Sequence, residues 1–221
     1  MVEAEELLEQ IKESVRFILV GTSHPGNIGA SARAMKNMGL KKMELVSPKD
    51  FPNETAFFRA KFATDILEEA NIHPDLKSTI SRAKLVIGTS ARIRKVPWPI
   101  VSPKEAAQEI INLCIKGEDN IAIIFGREDR GLTNKELGLC NLHVYIPTTE
   151  EYSSLNLSQA VQIIAYEIRL CALNHSGAVG EQEWDVPLAS TSEIERLINH
   201  FNEVMQQVDF YHVDNPRNLL T

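Results

Sequence analysis

The sequence predicts an α/β protein in which a mostly parallel sheet is covered by helices on both faces. Short apolar runs alternate with amphipathic segments along most of the chain, which is typical of β–α–β units. The clearest runs, VRFILV and NIAIIF, lack the polar–apolar alternation of a half-exposed strand and indicate strands buried on both faces. The length of 221 residues allows one large domain with its own core, or one domain and a small appendage.

The first half of the chain is predicted to contain two strands and three helical segments. Val15–Val20 is a continuous apolar run and is predicted to be a buried strand. A helix follows at 27–38, where small and apolar residues recur at helical spacing and a glycine comes directly after. Met43–Val46 is predicted to be a second short strand, and the patterns of 54–60 and 75–83 are helical.

The second half of the chain continues the same alternation. The predicted strands are Lys84–Gly88, Asn120–Phe125 and His143–Ile146. The predicted helices are Pro103–Ile115, Thr133–Leu139, for which Thr133 is a suitable cap, and Leu155–Leu173. In folds of this class, ligands bind at the loops that leave the carboxyl ends of the strands, so we expect a functional site in these loops.

The two ends of the chain differ in character from the middle. Residues 1–14 form an acidic, helix-prone lead, and 15–174 form the main predicted domain. The stretch Asn174–Pro187 has the composition of a linker, and 191–208 has the apolar stripe of an amphipathic helix. We therefore predict a short C-terminal helical extension within 175–221.

The net charge of −7 argues at first against a nucleic-acid partner, but the charges are unevenly distributed. Residues 15–113 carry 15 Lys and Arg against nine Asp and Glu, whereas the segments on either side are acidic. A basic first half can present a positive face to a polyanion. A solvated surface of mixed charge explains the same counts.

The cysteines and the apolar runs predict a cytoplasmic protein without a membrane segment. Cys114, Cys140 and Cys171 are odd in number and far apart, so we expect free thiols rather than a disulfide framework. No His or Cys spacing predicts a metal site. No apolar run reaches the roughly 18 residues of a membrane helix, and the first residues lack the basic and apolar segments of a signal peptide.

Loop 21–29, GTSHPGNIG, has the glycines of a nucleotide site but matches neither familiar glycine motif. A P-loop requires Lys after the glycine at position 26, where Asn27 stands, and the dinucleotide-binding motif requires a different glycine spacing. What remains is a tight turn with polar side chains at a helix N-terminus, which suits an anion or a ribose phosphate. A plain strand–helix turn followed by a surface arginine, Arg33, is the alternative.

Loop 88–99, GTSARIRKVPWP, places three basic residues beside an aromatic one. Arg92, Arg94 and Lys95 can bind phosphates, and an exposed Trp98 can stack on a base. This combination predicts contact with an RNA strand. The alternative is a tryptophan that covers the core and is surrounded by solvated charges.

Two further loops follow predicted strands. Loop 126–132, GREDRGL, places a glycine and four charged residues after the most apolar strand, where either a ligand or a surface ion-pair cluster is expected. Loop 146–156, IPTTEEYSSLN, supplies Ser153, Ser154 and Asn156 directly before the long helix. Helix capping and ligand contact both suit these three residues.

Three segments resemble, in order and spacing, the motifs of the SpoU family of RNA methyltransferases. They are GNIGASARAMKNMG (26–39), IIFGREDRGLTNKEL (123–137) and YIPTTEEYSSLNLSQAVQIIAYE (145–167). The loop at 88–99 resembles that of the TrmJ subgroup, which methylates a cytidine or uridine ribose in the tRNA anticodon loop. The resemblance covers roughly 15–173, which is most of the chain.

The resemblance implies a fold, an activity and an assembly. The fold would be an α/β-knot, a deep trefoil knot in which the last strands and helix thread through a loop. The activity would be transfer of a methyl group from S-adenosyl-L-methionine, leaving S-adenosyl-L-homocysteine, to a ribose 2′-hydroxyl at position 32 of tRNA. The assembly would be a homodimer with active sites at the subunit interface. Methylation of rRNA is the alternative within the family.

The resemblance also implies roles for individual residues. The residues that match catalytic positions are Asn27, Arg33, Glu128 and Asn156. The residues that match or adjoin cofactor-binding positions are Thr89, Ser90, Ala91, Gly126, Ile146, Ser153, Ser154 and Leu155. In the loop that resembles TrmJ, Arg92, Arg94, Lys95 and Trp98 would contact RNA.

The 2′-hydroxyl is a weak nucleophile at neutral pH, so the site must orient it and stabilise the charge that develops on it. An arginine is a poor base, since its guanidinium stays protonated in proteins. We therefore expect Arg33 to hold a phosphate and stabilise the developing alkoxide. The proton acceptor is left open between Glu128, water and a transiently neutral Arg33. The rival functions are a non-catalytic RNA-binding protein of the same fold and a dinucleotide-dependent oxidoreductase.

Overall fold

The main unit of the chain is built on a sheet in which seven strands are described, all of them parallel. The strands are β1 (Val15–Val20), β2 (Lys42–Val46), β3 (Asn71–His73), β4 (Leu85–Ser90), β5 (Ile100–Val101), β6 (Ile121–Phe125) and β7 (Leu142–Tyr145). Their spatial order is β3-β2-β1-β6-β4-β7-β5. Because every pair is parallel, the loops after β1, β6, β4 and β7 meet at one edge of the sheet.

The computed structural model describes residues 4–91, 99–175, 190–208 and 210. They fall in two compact units, one within 1–179 and the other within 180–221, and each unit is described by itself. The helices of the first unit are α1 (Ala4–Ser14), α2 (Pro25–Asn37), α3 (Glu54–Ala60), α4 (Thr64–Glu68), α5 (Leu76–Thr79), α6 (Pro103–Ile115), α7 (Asn134–Leu137) and α8 (Leu157–His175).

Both faces of the sheet are buried, and each has its own core. On β1, Val15 and Phe17 point into the larger core, which α2, α6 and α8 also line, whereas Ile18 and Val20 point into the smaller one. The smaller core is completed by side chains from around α5 and α7, including Leu137. All five residues of β6 are buried because β6 lies in the middle of the sheet, between β1 and β4. The prediction of a mostly parallel sheet covered on both faces is confirmed.

Some short elements were not predicted from the sequence. The edge strands β3 and β5 have three and two residues, and α4 follows a short 3-10 helix at Lys61–Ala63. The helical pattern at 75–83 forms only the single turn of α5, which Asp75 caps by accepting a hydrogen bond from the Ser78 N–H. The other predicted elements are confirmed with bounds that shift by a few residues at most.

The second unit contains α9 (Thr191–Gln207), which confirms the helix predicted at 191–208. Ser190 and Glu193 form a capping box at its start, and each accepts a hydrogen bond from the backbone of the other. Ile194, Leu197 and Phe201 are exposed along one side. None of the helices in the described residues is long and apolar enough to cross a membrane.

Candidate active site

The first turn of α2 is the base on which the site is built. His24 precedes the helix, and its ring Nδ1 accepts a hydrogen bond from the Gly26 N–H at 3.0 Å. Pro25 occupies the first helical position, where its missing N–H would have no partner in any case. This capped start holds Asn27 in the first turn, with its side chain directed toward the loop after β6.

The Glu128 carboxylate is the centre of the hydrogen-bond network. Its Oε2 accepts hydrogen bonds from the Ser23 N–H at 3.0 Å and the Ser23 hydroxyl at 2.9 Å. Its Oε1 accepts from the His24 N–H at 3.2 Å and the Asn27 side-chain amide at 3.0 Å. One carboxylate therefore ties the loop after β6 to the start of α2.

The third motif joins the same network through Asn156. Its side-chain amide donates to the Asn27 side-chain oxygen at 3.0 Å. Its own side-chain oxygen caps α8 by accepting from the Ser158 N–H at 2.9 Å and hydroxyl at 2.7 Å. The expected capping role is thus confirmed for Asn156. Glu128, Asn27 and Asn156 form a continuous chain of hydrogen bonds across all three motif segments.

The loop that carries Glu128 is held rigidly by its neighbours. Arg127 forms two hydrogen bonds of 3.0 Å with the Glu136 carboxylate, and its backbone pairs with that of Gly131. A β-carbon on Gly126 would lie 2.1 Å from the Gly131 carbonyl carbon, so only glycine fits where the loop folds back. The cluster of charges expected here is therefore partly structural: Arg127 pairs with Glu136, and Asp129 pairs with its neighbour Arg130.

Glu128 is ionised at neutral pH. Partial burial favours the protonated form, but hydrogen bonds from Asn27 and Ser23 outweigh it and lower the pKa of Glu128 below its ordinary value. A carboxylate that accepts four hydrogen bonds and has a lowered pKa is a weak proton acceptor. The Glu128 carboxylate is instead well suited to holding Ser23, His24 and Asn27 in place.

A cavity of about 340 Å³ adjoins this network, formed by the segments that follow β4, β6 and β7. This volume lies within the range of small-molecule sites, roughly 300–1,000 Å³. All eight residues predicted to bind the cofactor line it: Thr89, Ser90, Ala91, Gly126, Ile146, Ser153, Ser154 and Leu155. Phe125, Leu132 and Leu157 add apolar surface, and the charged side chains of Arg127, Glu128, Asp129 and Arg130 also line the cavity.

Arg33 lies apart from the other predicted catalytic residues. It is exposed on α2, six residues after Asn27 and therefore about 9 Å farther along the helix axis. It does not line the cavity, and its side chain forms no hydrogen bond or ion pair with another residue in the described part of the chain. Asn27 hydrogen-bonds to Glu128 and Asn156 rather than to Arg33.

Four predicted RNA contacts, Arg92, Arg94, Lys95 and Trp98, lie outside the described residues. No group of three or more His, Cys, Asp or Glu that could hold a metal ion occurs among the described residues. Ser23 and the Arg127–Glu136 pair were not selected from the sequence as site residues. The polar turn at 21–29 was the available signal for Ser23, whereas the pairing of Arg127 with Glu136 is visible only in three dimensions.

The comparison with protein families agrees with this geometry. The sequence model of the SpoU rRNA methylase family matches residues 14–166, which contain all the segments that form the network and the cavity. The chain belongs to the SpoU methylase family.

Relatives with curated names narrow the position of the chain within the SpoU family. A protein of Pseudomonas aeruginosa named tRNA (cytidine/uridine/adenosine-2′-O-)-methyltransferase TrmJ is 40% identical over 216 residues, which are 95% of this chain and 84% of that protein. A protein of Pectobacterium atrosepticum named tRNA (cytidine/uridine-2′-O-)-methyltransferase TrmJ is 42% identical, with 90% and 81% of the two chains covered. The expected likeness to the TrmJ subgroup is confirmed.

Solved structures share the SpoU fold. A probable methylase family protein from Haemophilus influenzae Rd KW20 matches with a TM-score of 0.69 and 35% identity, covering 96% of this chain and 83% of that chain. TrmJ from Z. mobilis ZM4 matches with a TM-score of 0.66 and 32% identity, covering 90% and 83%. The SpoU methyltransferase AviRb from Streptomyces viridochromogenes, solved in complex with AdoMet, is 16% identical with a TM-score of 0.56, covers 72% and 58%, and shows the fold alone.

Proposed function

We propose that this protein transfers a methyl group from S-adenosyl-L-methionine to the 2′-hydroxyl of a cytidine or uridine in tRNA, at position 32 of the anticodon loop. The observation that carries the proposal is the hydrogen-bonded chain Glu128–Asn27–Asn156 beside a cavity of about 340 Å³. The names of the relatives support tRNA as the substrate. Position 32 follows from the resemblance of the 88–99 loop.

The cavity suits the cofactor on chemical grounds. Thr89, Ser90 and Ser154 supply hydroxyls and backbone groups for polar atoms, and Leu132 and Ile146 supply apolar surface for an aromatic base. Arg127, Glu128, Asp129 and Arg130 also line the cavity and supply charged groups of both signs. When bound, S-adenosyl-L-methionine supplies an activated methyl group on a sulfonium.

The described residues act mainly by positioning. Correct orientation of the reactants can lower the barrier by up to about 7–11 kcal/mol. The hydrogen bonds among Glu128, Asn27 and Asn156 join two segments of the cavity wall, the loop after β6 and the segment before α8, to the start of α2. The lowered pKa of Glu128 argues against this carboxylate as the base that removes the 2′-hydroxyl proton. Water, or a transiently neutral Arg33, is then the acceptor, while a charged Arg33 stabilises the developing alkoxide.

We also propose the knotted fold, the domain bounds and the homodimer that the resemblance implies. The last strands and helix of 15–174 would be threaded as a deep trefoil knot, with 1–14 as a helical lead and 175–221 as an extension. The chain would act in the cytoplasm as a homodimer. The position of Arg33, exposed and outside the cavity of its own chain, supports a site to which a second copy contributes.

A methyl-transfer assay tests the function. The full chain is incubated with methyl-labelled cofactor and unmodified tRNA transcripts, and the methylated nucleotide is mapped. We expect label on the ribose at position 32, and little label on rRNA fragments. Label on rRNA alone would replace tRNA with rRNA in the proposal, and the absence of label on any RNA would leave a non-catalytic RNA-binding protein.

The variant Arg33→Ala tests the role of the arginine. We expect it to bind the cofactor as the wild type does, because Arg33 does not line the cavity, yet to lose methyl transfer by at least about 100-fold. Arg82→Ala, at another exposed position, is the matched control and should keep full activity. Turnover near that of the wild type in Arg33→Ala would remove Arg33 from the catalytic set.

A further inference from the structure

Two phenylalanines and two basic residues form an exposed patch where α3 ends, which we call the aromatic–basic surface: Phe58, Arg59, Lys61 and Phe62. Phe58 is 68% exposed and Phe62 is 95% exposed. The Lys61 ammonium lies 4.2 Å from the centre of the Phe58 ring. Large apolar rings that stay in water contribute little to folding, and adjacent exposed rings are typical of a binding surface.

The packing of α3 explains which residues are turned outward. Ala56 and Ala60, four residues apart, are fully buried, and they are the α3 residues that approach Gly29 of α2. The aromatic–basic surface occupies the outer side of the same segment. Lys61 has φ 56° and ψ −115°, a conformation that a β-carbon disfavours, although Lys61 is itself exposed and gains nothing from core packing.

The aromatic–basic surface borders the proposed active site. A β-carbon placed on Gly26 would lie 3.7 Å from Cγ of Arg59, and Gly26 directly precedes Asn27. Arg33 lies four residues after Gly29, which touches α3, so helical periodicity puts it on the flank of α2 that faces α3. Lys36, three residues after Arg33, forms an ion pair of 2.7 Å with Asp65 of α4, so this side of α2 faces the segment that follows α3.

We infer that the aromatic–basic surface binds unpaired nucleotides of the substrate RNA next to the target ribose. The rings of Phe58 and Phe62 stack on bases, and Arg59 and Lys61 bind the phosphates between them. This inference deepens the proposed function and rests on it for the identity of the RNA. A single-stranded RNA loop is the form of RNA whose bases are free to stack on aromatic side chains.

The charges favour RNA over a protein as the occupant. The centres of protein–protein interfaces are depleted in charged residues, and in lysine especially. Here Lys61 lies against the Phe58 ring, and Arg59 lies between the two rings in sequence. Asp65, the acid three residues after Phe62, is already paired with Lys36. Two cations that lie between two rings in sequence suit a nucleic-acid strand, whose bases can stack on the rings while the linking phosphates contact the cations.

The first test measures the affinity for an unmodified tRNA transcript by fluorescence anisotropy. The double variant Phe58→Leu/Phe62→Leu keeps apolar side chains but removes the rings, and we expect the Kd to rise by about 5- to 150-fold per ring that stacks. Phe58→Tyr/Phe62→Tyr keeps the rings and should bind within about twofold of the wild type. Ile72→Ala, at a 53% exposed apolar position on β3, is the control and should change nothing.

The second test measures the salt dependence of the same Kd. Losing two phosphate contacts in Arg59→Gln/Lys61→Gln should reduce the slope of log Kd against log salt by about 1.4, or about 0.7 per contact with a single strand. The Leu double variant should leave the slope unchanged, because it removes no charge. Cofactor affinity should stay the same in both variants, since none of the four residues lines the cavity.

An unchanged Kd for tRNA in the Leu double variant would overturn the inference. If analytical ultracentrifugation of that variant then also shows a changed molecular mass, the surface is a contact between copies of the chain. Because the readout is binding, failure of methyl transfer in the wild type would refute the proposed function separately, and a ring-dependent RNA affinity would still stand.

Discussion

At the scale of single residues, Glu128 illustrates how a charged side chain can serve structure and function together. Its four donors come from three residues of a neighbouring loop and helix. A glutamine at this position would place an N–H₂ group against N–H and O–H donors. The isosteric substitution is therefore a sharper probe than truncation to alanine.

Glu128→Gln should lower both activity and stability. We expect turnover to fall by at least tenfold because the loops lose their common anchor, and the free energy of unfolding to fall by about 1 kcal/mol, since solvent still reaches the carboxylate. Urea unfolding and the methyl-transfer assay measure the two effects. Glu150→Gln, at an exposed position, is the matched control.

The same carboxylate predicts a pH dependence. The pKa of Glu128 is lowered from 4.5, so the folded state is favoured when the group is ionised. This contribution is present above the unfolded pKa of about 4.5 and is lost as the pH falls through the lower, folded pKa. The stability gap between wild type and Glu128→Gln should therefore be full at pH 7 and shrink below pH 4.5. A difference in stability that stays constant down to pH 3 would contradict the predicted role of the ionised Glu128 carboxylate.

At the scale of elements, the contact between α2 and α3 depends on Gly29. A β-carbon at this position would lie 1.9 Å from the Ala56 carbonyl oxygen, which is far inside van der Waals contact. The close approach also sets the position of the aromatic–basic surface relative to the first turn of α2.

Gly29→Ala should destabilise the protein by about 1–3 kcal/mol or more, because α3 must move away from α2. Helix propensity alone would predict the opposite sign, a gain of about 1 kcal/mol for alanine over glycine. Thermal or urea unfolding of Gly29→Ala distinguishes destabilisation by the clash with α3 from stabilisation by helix propensity. Asn37→Ala, exposed on the same helix, should stabilise by a few tenths of a kcal/mol at most.

Some elements could be predicted from the sequence alone, and others could not. Central strands such as β1 and β6 were predictable because burial on both faces leaves an unbroken apolar run. The edge strands β3 and β5 are too short to show a period, and neighbouring strands define them. The cavity residues were found through motif resemblance, whereas the aromatic–basic surface was missed because exposure of Phe58 and Phe62 depends on how α3 packs.

At the scale of the whole molecule, the sheet gathers chemistry from distant parts of the chain. Asn27 and Asn156 are 129 residues apart in sequence and directly hydrogen-bonded. The parallel order of the strands brings their loops to one edge, so the cavity can form only in the folded chain. A ligand of this cavity therefore binds the native state and stabilises the whole unit.

S-adenosyl-L-methionine should raise the melting temperature. A ligand at 100 times its Kd contributes about 2.7 kcal/mol, which corresponds to roughly 5–10 °C for a domain of this size. Thermal unfolding with increasing cofactor measures the shift. NAD at the same concentration is the control and should leave the melting temperature unchanged. A shift with NAD and none with S-adenosyl-L-methionine would favour the oxidoreductase instead.

The chain of hydrogen bonds from Glu128 through Asn27 to Asn156 has a thermodynamic consequence. Leu155 and Gly126 line the cavity, and Asn156 and Glu128, one and two residues away, hold the start of α2. The aromatic–basic surface, where RNA is proposed to bind, borders that start. Ligands on the two sides of these shared loops should therefore bind cooperatively. Linkage then requires that cofactor change the affinity for tRNA by the same factor, about 5- to 150-fold, by which tRNA changes the affinity for cofactor.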